Sequence, residues 1–240
     1  MKALLILLLL ILSASFSLTA QLERLPVTKE YKIRRKTIDE FRTHKFVDGG
    51  FVVNGNLKYS EIEGTPYLKS EFKKGTIITS AVTLIDNLLL RYNCYSDQIE
   101  YLKMDSILEI TPKSLVSKAE FDNRTFSCVK FRNSKKLVEG FCEVIVKGKA
   151  SLFCKYNVDF LPPAPGLPYG DSNKAHFKPI MKSFYVSNGD TYVDFVGNKI
   201  DLINILKDRK TELNNFISKY KLLAKKGDDL VRIIEYYNSL

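Results

Sequence analysis

The chain has 240 residues, of which 45% are hydrophobic and 27% charged, and its formal net charge is +10. This composition predicts a globular protein with a real core and excludes an unstructured chain. It contains 13 tyrosines and 15 phenylalanines but no tryptophan, which favours a β-rich fold because aromatic side chains fit strands well. The length suits one good-sized domain with an appendage, or two small domains.

The first twenty residues have the pattern of a secretory signal peptide. Lys2 supplies a positive charge, residues 3–12 are apolar, and small residues precede Gln21. An apolar run of about ten residues suits a signal peptide and is short of the roughly 20 needed to span a bilayer. We therefore predict a signal peptide over 1–20, cleaved after Ala20, with an uncleaved anchor as the alternative. The mature chain is predicted to have no transmembrane span and to be periplasmic, outer-membrane-associated or secreted.

Residues 21–45 are charged and lack a clear period, which predicts an N-terminal arm that is mobile or forms a short leading element. The densest basic cluster of the chain lies here, at 32–36. A solvated basic surface is the ordinary interpretation. An exported basic protein also meets anionic lipid headgroups and cell-wall polymers, so an anionic lipid or cell-wall surface is one predicted partner and an envelope protein the other. No nucleic-acid-binding motif is present, and we predict no nucleic acid partner.

Residues 46–197 show short alternating or apolar runs separated by Gly, Asn, Asp and Pro, which is typical of an antiparallel β domain. The clearest strand covers 88–95. Its alternation places one set of side chains on an apolar face: Leu88, Leu90, Tyr92 and Cys94. The opposite face carries Arg91, Asn93 and Tyr95, which we predict to be more solvated.

The four cysteines are Cys94, Cys128, Cys142 and Cys154. An even number in an exported chain permits two disulfides, but each cysteine lies in an apolar run, where a free thiol behaves as a small buried hydrophobe. Both states stay open. A three-residue turn at 147–149 would place Cys142 opposite Cys154, close enough for a disulfide. A two-residue turn would change the register and remove that contact.

A proline-rich segment interrupts the β pattern after residue 161, and it cannot be a strand interior because proline lacks the ladder donor. We interpret it as a long connection inside the β domain. The alternative is a lid or a partner-contact loop, since long irregular loops are often functional. The candidate contact residues of this loop are Pro162, Pro163, Pro165, Pro168 and Tyr169.

Residues 198–240 change to a helical period. Three short apolar stripes follow the i, i+3, i+4 spacing, and the last contains Leu230, Ile233, Ile234 and Tyr237. Helices of roughly 10–12 residues are unstable alone in water, so these stripes must be buried. We predict a helical segment packed on the β domain, and docking onto another protein is the alternative. Asp228 is the predicted N-cap of the last helix.

Several separated segments together resemble a group of uncharacterised exported proteins of Gram-negative bacteria. They are 64–68 with Phe72 and Gly75, 90–97, 140–144, and the C-terminal 235–240. The resemblance covers about residue 60 to the end. It implies an envelope location, and it implies no activity and no catalytic residues.

Candidate chemistry is sparse in this sequence. The two histidines, His44 and His176, have no neighbours at metal-ligand spacing, and no nucleophile, nucleotide-binding or calcium motif is present. The carboxylates Asp97, Glu100, Asp105 and Glu109 fall in one region, and a carboxylate pair is what glycoside hydrolysis requires. Because such residues are commonplace at turns and strand edges, we predict no catalytic residue, no cofactor and no metal.

These observations predict an α+β protein: a curved antiparallel sheet, half-barrel or meander-like, followed by short amphipathic helices. The leading functional hypothesis is a non-enzymatic binding or structural module of the cell envelope. A periplasmic carrier of a lipid or other apolar ligand is the second hypothesis, because the hairpin around 147–149 is apolar on both faces. An envelope hydrolase using the carboxylates is the third.

Overall fold

Alternating burial along the chain produces a series of strands between residues 34 and 195. The computed structural model describes residues 57–133, 136–163 and 174–240. It also gives the backbone of two short strands near the N-terminus. For residues 132, 133 and 136 it describes the backbone alone. The predicted signal peptide, most of the predicted arm, and Pro165, Pro168 and Tyr169 of the proline-rich loop lie outside the described residues.

The strands are β1 (Arg34–Arg35), β2 (Thr43–Lys45), β3 (Lys73–Thr79), β4 (Thr83–Asn93), β5 (Gln98–Lys103), β6 (Ser106–Ile110), β7 (Val116–Phe121), β8 (Arg124–Asn133), β9 (Lys136–Val146), β10 (Ser151–Asn157), β11 (Phe160–Leu161), β12 (His176–Phe177), β13 (Met181–Ser187) and β14 (Asp194–Phe195). The helices are α1 (Lys199–Ile205), α2 (Lys210–Lys219) and α3 (Gly227–Ser239). None of the helices in the described part of the chain is long and apolar enough to cross a membrane.

Most strands join one sheet in the order β14-β13-β10-β9-β8-β7-β3-β4-β5-β6-β2. The pairings along this order are antiparallel, while β1 adds to β4 in parallel and β11 pairs with β12 apart from the main sheet. The predicted fold class is therefore confirmed: an α+β protein with a curved antiparallel sheet and short C-terminal helices. Residues 34–35 and 43–45, which we predicted to belong to a mobile arm or leading element, are strands of this sheet.

Two apolar clusters form the core of the protein. The first contains large fully buried side chains from several strands, among them Tyr92, Tyr101, Phe126 and Phe141. The second lies under the helices, where the stripes of α1, α2 and α3 pack against Leu152 and Val186 of β10 and β13. The predicted burial of the helical stripes is confirmed. The exception is Tyr220, which is 46% exposed.

The turn between β9 and β10 differs from the predicted one. Val146 pairs with Leu152, Val144 with Phe153 and Glu143 with Cys154, and the register shifts between Leu152 and Phe153. This shift leaves Ile145 as an extra residue, which is a β-bulge. The predicted pairing of Cys142 with Cys154 is wrong, since Cys142 lies opposite Ser127 on β8.

The last helix also begins differently from the prediction. Lys226, not Asp228, occupies the N-cap position of α3, and Asp228 lies in the first helical turn. A carboxylate in the first turn still interacts favourably with the positive end of the helix dipole.

Candidate functional site

All four cysteines are free thiols in the structure. Burial raises the pKa of the Cys94 and Cys142 thiols to about 12. Burial likewise raises the pKa of Cys128 and Cys154 to about 11. A thiol is nucleophilic only as the thiolate, so these cysteines are chemically quiet at neutral pH.

A buried ionic cluster surrounds Asp97, which lies in the turn between β4 and β5. Its carboxylate accepts hydrogen bonds from the Tyr92 hydroxyl at 2.7 Å, from Lys113 Nζ at 2.8 Å and from the Phe141 N–H at 3.1 Å. It also forms an ion pair with Lys155, whose side chain is 6% exposed. Lys155 Nζ donates in turn to the carbonyl oxygen of Phe141 at 3.2 Å.

The position of this cluster explains its composition. The backbone pairing of β9 with β10 includes only Leu152 to Cys154 of β10. Beyond Cys154, the N–H and the carbonyl of Phe141 on β9 bond to the side chains of Asp97 and Lys155 and not to the backbone of β10. Asp97 and Lys155 therefore substitute for ladder hydrogen bonds that a buried backbone requires. The Asp97 carboxylate is paired with both Lys113 and Lys155. Burial, together with the nearby carboxylate, raises the pKa of Tyr92 well above its ordinary value. We assign this cluster a structural role.

The second buried cluster corrects our prediction for the polar face of β4. Arg91 Nε donates to Glu100 Oε2 at 2.7 Å, its NH2 donates to the Tyr67 hydroxyl at 2.7 Å, and its guanidinium lies 3.7 Å from the Tyr67 ring centroid. Asn93 is fully buried and donates to Glu100 Oε1 at 2.8 Å. This face is covered by residues 57–72 and is not solvated.

The four carboxylates proposed for hydrolysis occupy separate environments. Asp97 and Glu100 are held by the cations described above, and Asp105 is exposed in the turn between β5 and β6. Glu109 is buried opposite Glu100 in the β5–β6 register. The pockets described in this section contain none of the four.

The histidines give no metal centre in the described part of the chain. The register places His44 of β2 opposite Glu109, and His176 of β12 borders an open depression of about 420 Å³. Within the described ranges, no group of three or more His, Cys, Asp or Glu residues is arranged to hold a metal ion.

The most distinctive surface is an open groove on the outer face of β7 to β10, which we call the outer groove. Its volume is about 400 Å³. The lining residues are Lys118, Thr125, Ser127, Val129, Val144, Ile145, Lys147, Ser151 and Phe153. The floor is apolar, hydroxyl groups lie along it, and two lysines stand at its rim.

A partly exposed apolar row runs from the outer groove to the edge of the sheet: Val144, Phe153 and Tyr185 are half-buried and Phe195 is exposed. Val144 pairs with Phe153, Phe153 with Tyr185, and Tyr185 with Phe195, so the four side chains lie side by side across β9, β10, β13 and β14. Phe195 is 54% exposed, and its ring centroid lies 5.6 Å from that of Tyr185. The neighbouring residues Leu152 and Cys154 point into the core instead.

The sequence prediction of a hairpin that is apolar on both faces covers part of this groove, since Phe153 and Ile145 belong to that hairpin and line the groove. It missed Lys118, because β7 was not predicted as a strand. The spacing of Val116, Ala119 and Phe121 is irregular for a strand, and the register shift at Thr79 of β3 accounts for that irregularity.

Comparison with known proteins gives no relative. No family model, no curated protein and no solved structure matches the chain. The resemblance to exported proteins of Gram-negative bacteria therefore stays a prediction, and the functional argument depends on the geometry of the surface.

Proposed function

We propose that this chain is a non-enzymatic binding module of the cell envelope that holds a partner protein in the outer groove. The partly exposed apolar row from Val144 to Phe195 is the observation that carries this proposal. The inner face of the sheet already has its helices and its core, and although Tyr185 packs on Phe131 and Phe195, the row keeps apolar surface open to a partner. Contiguous exposed apolar surface commonly marks an interaction site.

The rim of the outer groove favours a partner segment that carries both apolar and acidic side chains. Lys147 is exposed and makes no ion pair with any residue in the described part of the chain. Lys118, on the other side, is paired with Glu120 at 2.5 Å. An acidic side chain on the partner would meet the free charge of Lys147 while an apolar neighbour covers Phe153. Such charge complementarity supports specificity and the rate of association.

Two features make the other functional hypotheses weaker. The inner face of the sheet is filled by large side chains such as Tyr101 and Phe141. A carrier would therefore have to hold its apolar ligand in the open outer groove. The carboxylates suggested for hydrolysis are either neutralised by cations or outside the described pockets. A binding surface is therefore the better-supported function.

The test is site-specific photo-crosslinking in cells that express the chain. A photoreactive amino acid replaces Phe153 in the outer groove, and in a control it replaces Met104, which is 87% exposed in the turn between β5 and β6. We expect one discrete polypeptide adduct from position 153 and none from position 104. Adding Lys147→Glu to the position-153 protein should weaken the adduct at least tenfold.

Three outcomes would contradict the proposal. Equal adducts from both positions would mean random contact, and no adduct from position 153 would mean that the groove is unoccupied. An adduct whose added mass is that of a lipid would favour the carrier. Thermal melting of the two labelled proteins verifies that each has folded.

A further inference from the structure

A second surface, separate from the outer groove, lies where α2 turns into α3. Residues 219–226 carry four lysines, Lys219, Lys221, Lys225 and Lys226, all of which are exposed. Tyr220 and Leu223 lie among them and are 46% and 45% exposed. We call residues 219–226 the basic turn.

The backbone of the basic turn is held in place from within. Leu222 and Ala224 are buried in the cluster beneath the helices. The Leu222 N–H donates to the Ile217 carbonyl at 3.0 Å, and the Leu223 N–H donates to Asp229 Oδ2 at 2.9 Å. Because Leu222 and Ala224 are anchored, Leu223 is held outward between them. The Tyr220 ring is fixed against that of Phe216, with the ring centroids 4.8 Å apart, and stays 46% exposed.

The charges of the basic turn are largely uncompensated. Within the described residues, none of its four lysines forms an ion pair, and Arg232 of α3 adds a fifth cation 5.6 Å from the Tyr220 ring centroid. Two carboxylates lie nearby, Asp228 and Asp229, and the second is already bonded to the Leu223 N–H. The surface therefore has a strong excess of positive charge around two exposed apolar side chains.

We propose that the basic turn docks the protein on an anionic lipid bilayer. Tyrosine is enriched where hydrocarbon meets headgroups, because its ring is apolar and its hydroxyl is polar. Leu223 adds apolar area beside it. Lysines close to an anionic membrane each strengthen binding by about fivefold, and their long stems keep the ammonium groups at the headgroups. The phosphate backbone of a nucleic acid duplex would use the lysines but would leave Leu223 uncovered.

The absence of tryptophan from the chain permits a direct test. Tyr220→Trp introduces a single fluorophore into the basic turn, and Met104→Trp introduces it at a distant exposed control position. Each protein is expressed from the full sequence and purified after any processing by the cells. It is then mixed with vesicles of phosphatidylglycerol and phosphatidylcholine, or of phosphatidylcholine alone. We expect a blue shift and quenching by brominated lipid for position 220 with anionic vesicles only. Position 104 should show neither.

Charge removal supplies the second measurement, by vesicle co-sedimentation. Lys225→Gln combined with Lys226→Gln should weaken binding to anionic vesicles at least tenfold. The matched control is Lys73→Gln with Lys74→Gln, another adjacent exposed pair, and it should change binding less than twofold. Circular dichroism verifies that both double variants are folded.

The proposal is overturned if both lysine pairs matter equally, or if the position-220 fluorophore keeps its aqueous emission with anionic vesicles. It is also overturned if a short DNA duplex produces the same blue shift at the same salt concentration, since the turn would then be a general polyanion site. The outcome is independent of the outer groove, because none of these substitutions touches its lining.

Discussion

The side chain of Asn238, near the end of α3, binds both peptide groups of Ala150 in the turn between β9 and β10. The Ala150 N–H donates to Asn238 Oδ1 at 2.8 Å, and Asn238 Nδ2 donates to the Ala150 carbonyl at 2.9 Å. The carboxamide of asparagine offers an N–H donor and a carbonyl acceptor, as the peptide groups of a paired residue on a neighbouring strand do. Asn238 therefore takes the place of Val146, the partner that residue 150 would have in a three-residue hairpin, while Val146 pairs with Leu152 instead.

Replacing Asn238 should destabilise the protein more than its position near the C-terminus suggests. Asn238→Ala leaves the peptide groups of Ala150, a fully buried residue, without their partner. Unsatisfied buried groups cost about 1–3 kcal/mol each, so we expect the free energy of unfolding in urea to fall by at least about 1 kcal/mol. Asn214→Ala is the control, since Asn214 bonds only to Lys210 on an exposed helix face, and it should change stability by less than about 0.5 kcal/mol. Equal losses from the two variants would refute the role of Asn238.

The ion pair of Asp97 with Lys155 should behave as a coupled unit. Lys155→Met removes a cation from a site that is nearly inaccessible to water, and breaking a buried pair typically costs about 3–5 kcal/mol. Adding Asp97→Asn should recover part of the lost stability, because the double variant no longer contains a carboxylate that has been deprived of Lys155. The measurement is a double-mutant cycle in urea, with Lys118→Gln and Glu120→Gln as the exposed reference pair. Additive losses at Asp97 and Lys155 would contradict the assigned coupling.

In the folded protein the thiols of Cys94, Cys142 and Cys154 should be inaccessible and that of Cys128 only partly accessible, whereas all four can be counted after unfolding. Burial and the raised pKa of all four cysteines predict very slow reaction with a disulfide reagent at pH 8. In denaturant without reductant, the structure predicts four reactive thiols. Two reactive thiols would show that the isolated protein contains one disulfide, and peptide mapping would then identify the bonded pair.

Stability should decrease as the pH rises above about 8.5, the ordinary pKa of cysteine in an unfolded chain. The thiol pKa is raised to about 11–12 in the folded protein. Between these values the folded state holds protons that the unfolded state has lost, so the free energy of unfolding falls with increasing pH. The urea midpoint at pH 7.5 should therefore exceed that at pH 10. Cys142→Ala should reduce the dependence, whereas a midpoint that rises with pH would contradict the argument.

Local periodicity determined much of the secondary structure. The spacing of Leu230, Ile233, Ile234 and Tyr237 identified α3, and all four are fully buried. The alternation of Leu88, Leu90 and Tyr92 identified the inner face of β4. These patterns are readable because a helix or strand repeats over a few residues, and burial of one face imposes that repeat on the sequence.

Tertiary contacts decided the features on which function depends. The sequence around Arg91 and Asn93 predicts a solvated face, yet residues 57–72 cover it. No local pattern predicts this contact, because the covering residues are distant in sequence. The turn that precedes the shifted β10 register is bound by Asn238, which is 88 residues from Ala150. The outer groove likewise exists because the helices cover one face of the sheet and leave the other open. Local patterns thus specified which residues form strands and helices, while long-range hydrogen bonds and packing determined which surfaces remain exposed to a partner.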